Sequence, residues 1–202
     1  DAASNVITLT YAEAPKFNYS VVANFNGNPI KTVAAGIVYE GESVTEAYPQ
    51  FVVVDGNLYE APKGSGDWYR TAFTPNVDGF MQILNYTATS TTNVVFYTEA
   101  EDIAGVSVAN YTNRASNGKV AHTGGSDIFK DVTTLAPGVY KIYVKGLNGN
   151  NANRLSYFYV NDTRVFTFLY PQGTENYATS LDFTVYNEST LKFSSEGSYA
   201  SG

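Results

Sequence analysis

Apolar residues recur at every second position in this chain, and that period constrains its fold more than any other feature. Phe17, Tyr19, Val21, Ala23 and Phe25 alternate with Asn18, Ser20, Val22 and Asn24. Phe80, Gln82, Leu84 and Tyr86 alternate with Met81, Ile83 and Asn85, and Tyr140, Ile142 and Val144 with Lys141, Tyr143 and Lys145. In an extended chain successive side chains point to opposite faces, so one set faces a core and the other faces water. The β-branched and aromatic residues that strands favour are abundant. No window shows convincing helical spacing, so the expected class is all-β.

Turn signals punctuate the runs. Asn26-Gly27, Asp55-Gly56, Asp78-Gly79, Asn117-Gly118 and Asn148-Gly149 supply residues that tolerate positive φ. Asn161-Asp162 falls between two strand-like runs, 155–160 and 164–169, which predicts a hairpin. Many short strands with frequent turns point to sandwich or barrel architecture. The polar stretch Thr89-Ser90-Thr91-Thr92-Asn93 lies between strand-like segments at 80–87 and 94–98. It suggests two β-sandwich or jelly-roll-like modules, 1–92 and 93–202. A long loop within one large sandwich is the alternative.

Composition narrows the function. Only 15% of the 202 residues are charged, against roughly 25% in a typical domain. The formal net charge is −7, which argues against nucleic acid and anionic membrane, since both demand clustered Lys and Arg. Cys is absent and His is single, so thiolate zinc sites and paired-imidazole sites are excluded. The polar surface is expected to consist of neutral groups, from 21 Thr, 19 Asn and 15 Ser. His122, Ser126 and Asp127 crowd one loop without a G-x-S-x-G elbow, so no catalytic triad is expected. The first residues contain no secretory leader, and a secreted chain trimmed behind one starts like this.

In the second half, Glu99-Ala100-Glu101-Asp102 reads as the opening of a strand, and Ala115-Ser116-Asn117-Gly118-Lys119-Val120 follows. Then come a Pro137-Gly138-Val139-Tyr140 strand and a Tyr159-Val160-Asn161-Asp162 turn. The order and spacing of these motifs resemble carbohydrate-binding modules of the family 6 and 35 type, over about 100 residues. The resemblance implies a jelly roll that sandwiches a sugar between two aromatic rings. The first ring position is most nearly His122, and the second falls between Tyr170 and Tyr177. The family's sugar-binding Asn on a final strand has no match, because the chain stops at Gly202. Either the sequence is cut short there or another segment completes the sandwich; the strand-like run at 5–11 is a candidate, which would interlock the halves. The resemblance also implies a structural calcium ion, Ca2+, on Glu99 and Glu101. Two residues apart on a strand, they would point the same way and offer hard oxygens. Two solvated carboxylates are the alternative.

In the first half, Gly36-Ile37-Val38-Tyr39-Glu40-Gly41-Glu42 leads to Tyr48-Pro49-Gln50-Phe51 and Val54-Asp55-Gly56-Asn57-Leu58-Tyr59. This is loosely similar to mucin-binding-protein-like β repeats on surface proteins of gut bacteria. Similar modules occur in starch-adherence proteins, which motivates an α-glucan.

Sugar recognition needs flat aromatic faces for pyranose C–H groups and planar amides or guanidinium groups for hydroxyls. Three loops offer them: Trp68, Tyr69 and Arg70; Tyr111, Asn113 and Arg114; and the amide cluster with Asn151 and Arg154, with Tyr177 facing it. Each also has a structural reading, in packing for the aromatics and in turns or surface pairs for the polar groups. The expected protein is extracellular or at the cell surface, non-catalytic, and part of a larger multidomain protein. It binds a neutral polysaccharide or oligosaccharide, with no nucleic acid and no membrane insertion. The alternative is a structural or adhesive spacer with protein partners.

Overall fold

The computed structural model describes residues 12–64, 66, 68–110, 115–122, 130–147, 153–172 and 175–195. The fold is all-β and sandwich-like. The first half contributes β1 (Lys16–Phe25), β2 (Asn28–Tyr39), β3 (Val44–Ala47), β4 (Phe51–Val54), β5 (Asn57–Glu60), β6 (Arg70–Phe73), β7 (Phe80–Asn85) and β8 (Thr87–Ala88). The second contributes β9 (Ser107–Asn110), β10 (Lys119–His122), β11 (Lys130–Leu135), β12 (Gly138–Tyr140), β13 (Tyr143–Leu147), β14 (Arg154–Val160), β15 (Thr163–Tyr170), β16 (Glu175–Thr179), β17 (Phe183–Val185) and β18 (Ser189–Ser195).

Turn chemistry places the hairpins. Between β1 and β2, Asn26 has φ 50° and Gly27 has φ 80°. Between β4 and β5, Asp55 has φ 49° and Gly56 has φ 73°. Two successive positive values are what a two-residue type I′ turn requires, and Asn-Gly and Asp-Gly reach them at least cost. Asn161, with φ 51°, turns β14 into β15 at the expected place.

The first sheet runs β2-β1-β7, with β1 antiparallel to β2 and parallel to β7. Being central, β1 buries residues of both phases: Tyr19, Val21 and Ala23 on one face, Val22 and Asn24 on the other. The buried Asn24 amide donates to Asn85 Oδ1 at 3.1 Å. The smaller sheets β3-β6 and β4-β5-β8 pack with it around Tyr48, Val52, Tyr69, Phe73, Leu84 and Tyr86. The second half has a four-stranded sheet, β11-β18-β14-β15, and the ribbons β12-β17, β13-β16 and β9-β10. Its separate core holds Ile103, Leu135, Phe158, Phe168, Tyr170, Val185, Leu191 and Phe193. Among the described residues, strand pairing stays within residues 16–88 and within residues 107–195.

The stretch at 89–94 lies along β5: Thr89 N donates to Leu58 O, Leu58 N to Thr91 O, and Val94 N to Gly56 O, at 2.9–3.2 Å. Three expectations change. Residues 94–98 are not a strand, and Val95 is 77% exposed. The strand expected at Glu99 is instead a 3-10 turn, Ala100–Asp102, so Glu99 and Glu101 do not share a strand face. The run from Tyr140 to Val144 breaks at Lys141 and Ile142, where Ile142 exchanges two hydrogen bonds with Ser180 at 2.8 and 2.9 Å. The candidate strand at 5–11 lies outside the described residues.

Candidate ligand-binding site

The two halves meet through polar groups. Gln50 N donates to Ser116 Oγ at 2.8 Å, and that hydroxyl donates to Glu99 Oε1 at 2.8 Å. Asn117 N donates to Tyr48 O at 3.1 Å. Lys145 Nζ pairs with Glu60 Oε1, which also accepts from Gln50 Nε2 at 3.3 Å. Each of these links joins a loop or strand of the first half to one of the second, apart from the Gln50–Glu60 and Ser116–Glu99 bonds that extend them.

An aromatic surface lies beside this junction. In the β13–β16 ribbon, Lys145 stands opposite Tyr177 and Tyr143 opposite Thr179. Directly opposed residues share a face, so Tyr143, Lys145 and Tyr177 look the same way. Val144 and Ala178 occupy the other face and pack on the second core. Tyr177 is 67% exposed and stacks on Tyr143, with centroids 6.4 Å apart and rings 29° from parallel. Tyr143 also meets the edge of Phe51 in the first half at 6.3 Å, and Lys145 Nζ sits 5.2 Å over the Phe51 ring. The result is an aromatic row with a Lys–Glu–Gln cluster alongside it.

A cavity of about 230 Å³ opens beside Tyr143. Gln50, Phe51 and Leu58 line it from the first half, and the 95–100 segment, β13 and the second core complete its wall. Glu99 reaches its edge. Burial pushes the Glu99 carboxyl above its usual range, against the hydroxyls of Tyr97 and Ser116 that favour its charge. Tyr97 leaves part of its ring in solvent but turns its hydroxyl to Glu99. Desolvation of that hydroxyl, and the carboxylate beside it, push the Tyr97 pKa strongly up.

Glu101 is 7% exposed, and neither carboxylate oxygen has a hydrogen-bond partner among the described residues. Burial, then the neighbouring Glu99, push it up to about 8. A buried anion lacking donors is costly, and a raised pKa is the physical response. Calcium would require six to eight oxygens, on the order of the usual coordination number. Glu99 already accepts two hydroxyls, and no group of three acidic or imidazole side chains converges among the described residues. The described residues do not form the calcium cage that the resemblance implied.

The other expected site residues are dispersed. Trp68 is half-buried against the first core, and Lys63 Nζ lies 3.2 Å from its ring centroid. One face is therefore already covered. Tyr69 is 2% exposed within the core, which removes it as a stacking surface. Arg154 is half-buried on β14 opposite Tyr170, and its Nε has no partner among the described residues. His122 ends β10 opposite Ser107, and its side chain lies outside the described part. Tyr111, Asn113, Arg114 and Asn151 also lie outside the described residues. Of the expected aromatics, Tyr177 alone among those described stands open. Tyr143, Phe51, Lys145 and Glu60, which form the aromatic row and its cluster with Tyr177 and Gln50, are not among the expected residues. Tyr143 belonged to the wet phase of its run, which was the available signal.

No protein-family model matches the chain, and no curated protein sequence matches it.

Proposed function

We propose that the protein is a non-catalytic carbohydrate-binding protein of the cell exterior, and that a neutral polysaccharide stacks on the Tyr143–Tyr177 row. The observation that carries this reading is the exposed, nearly parallel Tyr pair beside the Lys145–Glu60–Gln50 cluster. The exposed Tyr177 ring, backed by Tyr143, offers its outer face to pyranose C–H groups, and the cluster offers donors and acceptors to hydroxyls. Because Lys145 is paired with Glu60, the cluster suits a neutral ligand. The net charge of −7 opposes polyuronates. The first polymer to test is an α-glucan, on the strength of the first-half resemblance.

Affinity electrophoresis in gels containing amylopectin, xylan or β-glucan tests this. We expect retardation in at least one gel, and its loss in Tyr177→Ala. No retardation in any gel would sink the reading. Release of reducing sugar on long incubation would overturn the non-catalytic part.

One observation favours a spacer with protein partners. The outer face of the β2-β1-β7 sheet exposes Ile37, Met81 and Ile83 at 66%, 60% and 42%. Apolar patches of this kind mark interaction surfaces. Wild-type protein that ignores every polysaccharide but self-associates or binds a partner through this face would favour that reading.

A further inference from the structure

We propose that the cavity beside Tyr143 is a binding site for a small apolar ring of phenyl size. The proposal concerns the cavity itself and does not require the Tyr row to bind sugar. Its volume is about 230 Å³, and its inner wall is made of core side chains including Leu135, Ile142, Phe158, Leu191 and Phe193. Packed protein interiors contain few voids larger than a water molecule, because an empty space forfeits contacts. A void lined by Leu, Ile and Phe stays dry, and one of roughly 150 Å³ is enough to take benzene or xenon. The space here is larger than that, and the exposed Val95, Phe96, Tyr97 and Tyr143 are among the residues that line it.

The chemistry of the wall selects the occupant. Phe158 and Phe193 lie 5.4 Å apart at 53°, so the inner end presents tilted aromatic surfaces. Aromatic rings pair well in such offset and edge contacts. The wall is not wholly apolar, but most of its polar side chains are already engaged: Gln50 and Glu99 are hydrogen-bonded at the junction, Lys145 pairs with Glu60, Lys141 pairs with Asp182, and Thr98 donates to Glu99 O. A pyranose pushed inside would leave several hydroxyls without partners, each an unfavourable burial. A phenyl-sized ring leaves no hydrogen bond unmade and removes apolar surface from water. The ring could arrive free or as a substituent on a sugar lying along the Tyr row. Both sources share this chemistry.

The test is methyl-detected NMR of the whole chain titrated with benzene and, separately, with xenon. Saturable shifts are expected at the methyls of Leu135, Ile142 and Leu191. Val144→Phe and Val132→Phe each place a ring at the cavity wall, and each is expected to weaken benzene at least tenfold while circular dichroism shows the fold intact. Two filling variants are used so that one that misfolds does not decide the matter. Absence of saturable shifts with both probes overturns the proposal, as does unchanged benzene binding in both folded variants. To distinguish sources, 4-nitrophenyl maltoside is compared with 4-nitrophenol and with maltose. Tightest binding by the conjugate, by tenfold or more, supports a sugar-borne ring. Equal binding of free nitrophenol supports a free one. Maltose binding as tightly as the aryl glycoside overturns the ring site on this route. Benzene shifts without retardation in any polysaccharide gel would end the sugar reading and leave the cavity site standing.

Discussion

Glu101 is the residue whose environment makes the sharpest statement. Its pKa is raised to about 8 from the ordinary 4.5, chiefly by burial, so the folded protein keeps a proton that the unfolded chain releases. Between those values the folded state binds more protons, and stability must fall as pH rises. We predict a Tm that declines from about pH 4.5 to about pH 8 and then levels, through a loss of a few kcal/mol. Glu99 shifts the same way, chiefly by burial, and its charge adds to the rise at Glu101. Glu101→Gln should flatten the profile and raise Tm at pH 8. A profile that rises with pH, or one that calcium lifts, would contradict a protonated Glu101. Phe168 makes the opposite kind of statement. It is fully buried in the second core, and Phe168→Ala should cost about 3–5 kcal/mol in a urea titration. A loss under about 1 kcal/mol would mean that this core is not packed as described. Tyr177→Ala, at an exposed site, should change stability by less than about 0.5 kcal/mol. Residue roles were only partly legible in the sequence. Trp68 and Tyr177 look alike on a list of aromatics, and what separates them is a lysine on one ring and open solvent on the other.

Elements were more legible where local chemistry decides them. Asn26-Gly27 and Asp55-Gly56 announce type I′ turns because few other pairs tolerate two positive φ values. The parallel pairing of β1 with β7 left no such signal, since its partners are some 60 residues apart and alternation is blind to direction. The break at Lys141 and Ile142 was hidden for a related reason: the Ser180 hydroxyl that receives Ile142 N comes from far along the chain. Two glycines separate the causes of turn and packing. Gly27 has φ 80° and open space around a would-be Cβ, so Gly27→Ala should cost about 1 kcal/mol through the backbone alone. Gly36 faces Tyr19 in the β1–β2 register, and a Cβ there would lie 2.7 Å from Tyr19 Cζ. That ring is fixed by its hydroxyl's bond to Glu46. Gly36→Ala should therefore cost more, about 1–3 kcal/mol, by crowding. Urea midpoints of the two variants check the order, and the reverse order would refute this account of the pair.

At the scale of the molecule, two cores are joined by a seam of polar links with the Phe51–Tyr143 contact beside it. The Gln50–Ser116–Glu99 chain and the Lys145–Glu60 pair cross a boundary that no described strand pairing crosses. Ser116 is 5% exposed, so Ser116→Ala would strand Gln50 N without its acceptor, at a cost of about 1–3 kcal/mol. Calorimetry should then show the two halves unfolding further apart in temperature than in wild type, whereas a uniform shift would argue that the seam does not couple them. The seam also brings Phe51 of the first half against the Tyr143–Tyr177 pair of the second, a juxtaposition that no local pattern in either half encodes. The most direct measurement follows the Tyr ring resonances while a maltooligosaccharide is titrated in. Saturable shifts are expected at Tyr143 and Tyr177, with little change at Tyr69. Shifts at Tyr69 without them at Tyr177, or no saturable shift at any Tyr, would contradict sugar binding on the Tyr143–Tyr177 row.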